Sequence, residues 1–77
     1  MPGIIANNVI ELDARLMEPP EPMQRALEAI EQLGPGMQLR MLHHREPYPL
    51  YTILEQRHFF HRTTARPDGS FEILIWR

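Results

Sequence analysis

The stretch Leu12–Leu33, LDARLMEPPEPMQRALEAIEQL, decides the fold. It reads as the end of a strand, a proline-stiffened elbow and an amphipathic helix. From Asn8 to Ala14 the pattern alternates, with Ile10, Leu12 and Ala14 facing one way and Glu11 and Asp13 the other. That is a strand with one buried face. After Glu18-Pro19-Pro20-Glu21-Pro22, the residues Met23, Ala26, Leu27, Ile30 and Leu33 recur at helical spacing and form one apolar stripe. Pro22 suits the first helical turn, where its missing N–H would be unpaired anyway. Glu21 and Arg25 stand at i, i+4 in the favourable order. Gly34 is expected to close the helix in a left-handed cap, with Pro35 blocking continuation.

Outward from this unit, Met37–Leu42 is the second strand, with Met37, Leu39 and Met41 inward and Gln38 and Arg40 outward. Strand, helix and strand in so short a span predict a right-handed βαβ unit with parallel strands. His43-His44-Arg45-Glu46-Pro47 follows as a polar loop. A second helix begins near Pro49 and reaches Gln56 or Arg57, burying Leu50, Ile53 and Leu54 and carrying Tyr48 and Tyr51 near its first turn. His58–Arg66 and Phe71–Arg77 read as a hairpin around Pro67-Asp68-Gly69-Ser70, with Gly69 where a positive φ is wanted. Residues 1–7 are expected to form a flexible leader, ending in the turn signal Asn7-Asn8, and residues 8–77 a single domain. The element order is βαβαββ.

The residues Leu12-Asp13-Ala14, Pro20-Glu21-Pro22, the amphipathic helix and Gly36 before the second strand resemble the TusA-like/SirA-like sulfur-carrier family. The resemblance covers residues 8–77. In that family the elbow reads Cys-Pro-x-Pro and its cysteine carries a persulfide. Here the corresponding position is Pro19, so the frame is kept and the nucleophile is lost. The segment Arg45-Glu46-Pro47-Tyr48-Pro49-Leu50-Tyr51, with Leu54, Arg57 and Phe59, resembles a cysteine-less bacterial branch of unknown function. Members of that branch occur alone or joined to hemerythrin-like and other small domains, which hints at respiratory or nitrogen-oxide metabolism. The resemblance implies an α+β fold: a two-layer α/β sandwich with two helices on one face of a four-stranded mixed sheet, strand order 1-2-4-3, and the last strand antiparallel.

Composition narrows the chemistry. Seventy-seven residues support one domain and at most two packed layers. A formal charge of −2, without a basic run, argues against nucleic acid as a partner. All eight basic residues are arginine, which excludes Schiff-base lysine chemistry. The chain has no cysteine, so thiolate nucleophiles, disulfides and zinc ribbons are out of reach. No apolar run approaches a membrane span, and Met1-Pro2-Gly3-Ile4-Ile5 lacks the basic start of a signal peptide. The expected setting is the cytoplasm, without membrane partners.

Four constellations of residues bear on function. At the elbow, the starts of both helices are expected to converge with Arg15, Glu18, Glu21, His44, Arg45 and Glu46, a place suited to a small anionic ligand or a protein partner. Glu18 and Glu21 count against a bare anion pocket there. His43 and His44 point to opposite sides of an extended chain, and His58 and His61, both placed on the third strand, also diverge. Neither Cys-x-x-Cys nor His-Glu-x-x-His spacing is present, so no metal or other cofactor is expected. Ser70, Thr52, Thr63 and Thr64 have no evident base, so no catalytic residue is assigned. On the uncovered sheet face, Phe60, Arg62, Leu74 and Trp76 have the composition of an interface, for an unknown protein partner or weak self-association of a monomer. The favoured reading is a non-enzymatic accessory module that binds a ligand or protein. The alternative is a metal-dependent or redox accessory using His43 or His44.

Overall fold

The structure is a computed structural model and describes residues 5–6 and 8–77. Its elements are β1 (Ile5–Ala6), β2 (Val9–Asp13), α1 (Glu21–Ile30), β3 (Gln38–His43), α2 (Tyr48–Gln56), β4 (Phe60–Ala65) and β5 (Phe71–Trp76). The four long strands lie in the order β2-β3-β5-β4, which is the expected 1-2-4-3 arrangement, and β1 adds two residues antiparallel to β2. Most of the leader expected over residues 1–7 lies outside the described residues. Among the described residues no helix is long and apolar enough to cross a membrane.

β2 runs parallel to β3, and β5 runs antiparallel to both β3 and β4. The register puts Ile10 beside Leu39 and Leu39 beside Ile75; the next inward row is Leu12, Met41 and Ile73. These rows face the helices. Ala26 and Ile30 of α1 and Leu50 and Leu54 of α2 close over them in one core, with Leu39, Met41, Leu50, Leu54, Ile73 and Ile75 wholly buried. Continuing the same rows onto β4 gives His61 and Thr63, so the inward face turns polar at that edge. Tyr51 of α2 meets both: its ring stacks on His61 at 4.6 Å between centroids, and its hydroxyl hydrogen-bonds Thr63 Oγ1.

Three local expectations are corrected. The left-handed glycine after α1 is Gly36 (φ +79°), not Gly34. The helix tapers through i→i+3 bonds (Gln32 N–H to Ala29 O, Leu33 N–H to Ile30 O), and the reversal comes later, in the turn Gly34-Pro35-Gly36-Met37. Proline second and a positive-φ glycine third is the arrangement of a type II turn. His43 belongs to β3 rather than to the following loop, because the inward alternation of Leu39 and Met41 carries one step further.

His58 is not on the third strand. It caps α2 with φ +64°, its N–H donating to Glu55 O at 3.1 Å and the Phe59 N–H to Leu54 O at 2.8 Å. That pair of bonds is a Schellman motif, whose left-handed position normally holds glycine. His58→Gly is therefore expected to raise the unfolding free energy by about 0.5–1 kcal/mol, whereas His61→Gly within β4 lowers it. Urea denaturation of both variants checks this; equal losses would contradict the cap.

Candidate functional site

Because β2 and β3 are parallel, the elbow after β2 and the loop after β3 leave the sheet at the same end. The elbow is Ala14–Pro20, with a cis peptide between Pro19 and Pro20. Its Arg15 is tied down locally: Nε and Nη2 donate to the two Asp13 oxygens at 2.9 and 2.7 Å, and Asp68 of the β4–β5 turn lies 3.8 Å away. Hydrogen bonds from Arg15 hold the Asp13 carboxyl down to about 2. Glu21 pairs with Arg25 at 3.4 Å, as its spacing predicts, and Glu18 stands exposed.

Between the elbow and the second loop lies a cleft of about 220 Å³. Five prolines form its walls: Pro19, Pro20 and Pro22 on one side, Pro47 and Pro49 on the other. Met23, Met41 and Leu50 supply the remaining apolar surface, and His43, Arg45 and Glu46 the polar groups. Of the six residues expected to gather here, Arg45 and Glu46 line the cleft. His44 reaches it through Arg45, whose Nε donates to His44 Nε2 at 3.3 Å. Arg15, Glu18 and Glu21 do not line it.

A larger cleft of about 300 Å³ separates α1 from β2, but its ionic side chains are already paired. Arg25 meets Glu21 and Glu28, and Glu11 meets Arg40.

The expected convergence of free helix N–H groups is not found. α2 begins with Pro47, Tyr48, Pro49 and Leu50; the two prolines have no N–H, and the other two amides already donate to Glu46 O and Pro47 O at 3.0 Å. In α1, Pro20 and Pro22 likewise have none, and the Glu21 amide donates to Glu18 O at 2.9 Å. The prolines that set the elbow also leave the helix starts few donors. Of these amides only that of Met23, a residue lining the cleft, has no acceptor among the described residues, so the polar character of the cleft comes mainly from side chains.

His43, considered from the sequence only as a metal or redox residue, is absent from the six residues expected at the elbow and yet lines the cleft. The residue is 5% exposed, and Nδ1 accepts the Arg45 backbone N–H at 3.1 Å. In the neutral ring the proton is then on Nε2, which has no partner among the described residues. Burial, followed by the neighbouring His44 and Arg45, lowers its pKa below the ordinary histidine value, which favours that neutral form. Its signal in the sequence was the 37-39-41 alternation, extended one step.

Glu46 is held from two sides. Tyr48 donates to Oε1 at 3.1 Å and Tyr51 to Oε2 at 3.0 Å. Among the described residues no three His, Asp or Glu side chains form a metal-ligating group. On the uncovered sheet face the four residues expected as a partner surface do meet. Phe60 pairs with Trp76 across the strands, stacked at 6.0 Å, and Arg62 pairs with Leu74. The patch is confined to one corner, because Arg40 at the centre of the face bridges Glu72 at 2.6 Å and Glu11 at 3.2 Å.

Layers, strand order and helix placement together define a two-layer sandwich of the SirA-like class. The crystal structure of a SirA-like protein from Desulfitobacterium hafniense superposes on this chain with a TM-score of 0.75 at 21% identity, covering 87% of this chain and 93% of that one. No curated protein matches the chain in sequence. Residues 11–77 match the family model described as uncharacterized conserved protein (DUF2249), and the chain belongs to that family. Pro19, where the resemblance puts the sulfur carriers' cysteine, lines the cleft, and without any cysteine no thiol of this chain can carry a persulfide.

Burial pushes the Tyr51 hydroxyl up to about 12, the Glu46 carboxylate adds to the shift, and the Thr63 hydrogen bond opposes it. A raised pKa in the folded state favours folding fully below the ordinary value of 10.0, and that contribution is lost as pH rises toward 12. Tyr51→Phe is expected to cost about 1 kcal/mol at pH 7 by leaving Glu46 and Thr63 short of a partner. It should also flatten the alkaline loss of stability above pH 10. Chemical denaturation of both proteins across pH 7–11 measures both effects.

Proposed function

We propose that this domain is a non-enzymatic binding module, and that its ligand or partner surface is the cleft between the α1 elbow and the loop before α2. The observation that carries this reading is His43. Its Nε2 has no protein partner among the described residues and is not sealed off, since the one enclosed side-chain polar atom left unpartnered among them is Arg66 Nη1. The ring is therefore open to a group that enters the cleft. His43 lines an apolar cleft with the exposed Arg45 beside it. That combination, apolar walls with a few convergent polar groups, is the usual make-up of a small-ligand site. The nearby groups do not form an acid–base pair: Glu46 is engaged by two tyrosines and Arg45 only donates. Partner binding through the Phe60–Trp76 corner, or weak self-association there, is a separate use of the opposite face.

Arg45 makes none of the ion pairs among the described residues, so Arg45→Ala should leave stability within about 0.5 kcal/mol of the parent. In ¹H–¹⁵N NMR titrations with acetate, phosphate, zinc and ferrous iron, perturbations at Met23, His43, Arg45 and Leu50 that weaken in this variant support the cleft. Perturbations confined to Arg62, Leu74 and Trp76, or none from any of these solutes, overturn it. So does a drop in melting temperature large enough to make Arg45 a structural residue.

A further inference from the structure

The cleft's donors are mainly side chains, and their chemistry limits what it can hold. We propose that it binds a small organic monocarboxylate, a carboxylate joined to one compact apolar group. This rests on the cleft reading above and names the ligand class. At about 220 Å³ the space lies below the roughly 300–1,000 Å³ of pockets for drug-sized ligands, so one compact group fits and a nucleotide does not. Proline rings, Met23 and Leu50 give that group dispersion contacts and few competing donors. The side-chain groups free to meet a ligand, His43 Nε2–H and the Arg45 guanidinium, are both donors, and Arg45 brings a positive charge. They complement a head that only accepts and is anionic.

Glu46 decides the charge of that head. Glu46 lines the same cleft, with its carboxylate oxygens held by Tyr48 and Tyr51. One cation beside one fixed anion accommodates a single further negative charge better than two. Phosphate would also leave the apolar walls unused.

The test is a titration of the full labelled chain with benzoate, with benzyl alcohol and inorganic phosphate as controls. Benzoate is expected to shift the Met23, Arg45 and Leu50 amides and the His43 Nε2–H, saturating at a roughly millimolar Kd for so small a probe. Arg45→Ala should weaken it about tenfold. His43→Asn, which keeps an acceptor for the Arg45 amide and removes the Nε2–H, should weaken it similarly. If that buried substitution fails to fold, the exposed Arg45→Ala variant carries the test alone. Benzyl alcohol binding as tightly as benzoate, or phosphate binding more tightly, overturns the carboxylate assignment and leaves the cleft reading standing. Silence at these residues toward all three overturns both.

Discussion

The parallel pairing of β2 with β3 is the constraint on which the rest of the molecule depends. It makes both strands end on one side, and the Ala14 N–H extends the ladder by donating to Leu42 O at 2.8 Å just as the chain turns away. The antiparallel β5 then returns on the other flank of β3, which brings the β4–β5 turn to that same end beside Arg15. Three connections therefore crowd one rim. Leu39 and Met41 sit at the junction between the parallel and antiparallel halves and are wholly buried. Each such side chain contributes about 1.5–3 kcal/mol by burial, against a net stability of roughly 4–12 kcal/mol for a domain this size. The rim keeps its shape only while that junction stays packed.

Much of this was legible in the sequence because periodicity reports burial. The stripe Met23, Ala26, Leu27, Ile30 and Leu33 and the alternation of Leu39 and Met41 each state which face is covered, and the structure covers those faces. The misreadings have a common cause: hydrogen bonding at element ends is not periodic. Gly34 and Gly36 look interchangeable as caps until the taper of α1 places the reversal one turn later. His58 looks like a strand residue, since nothing in the letters marks a histidine held at positive φ. His43 reads as one polar loop with its neighbour His44, although the row it continues is an inward one. For the site, the letters showed prolines and charges but not that Asp13 holds Arg15 and two tyrosines hold Glu46.

The polar margin of the core shows how so small a domain finishes its second layer. α2 does not cover β4 with apolar side chains. Tyr51 lies flat on His61 and hydrogen-bonds Thr63 and Glu46, and Glu55 approaches His61 at 3.3 Å. The helix is thereby oriented by directional bonds as well as by Leu50 and Leu54. Those bonds also fix the loop that carries Arg45, so edge strand, helix and cleft rim are mechanically one unit.

The five prolines around the cleft have a thermodynamic consequence. A pyrrolidine ring has no free side-chain torsion to lose, and its φ is fixed before folding. Walls made of such rings have nearly the same shape empty or occupied. A molecule entering between Pro19, Pro22, Pro47 and Pro49 gives up its own freedom, while the protein there has little left to give up. The ordering was completed when the chain folded, so the protein's share of the entropy lost in any association at this cleft is small.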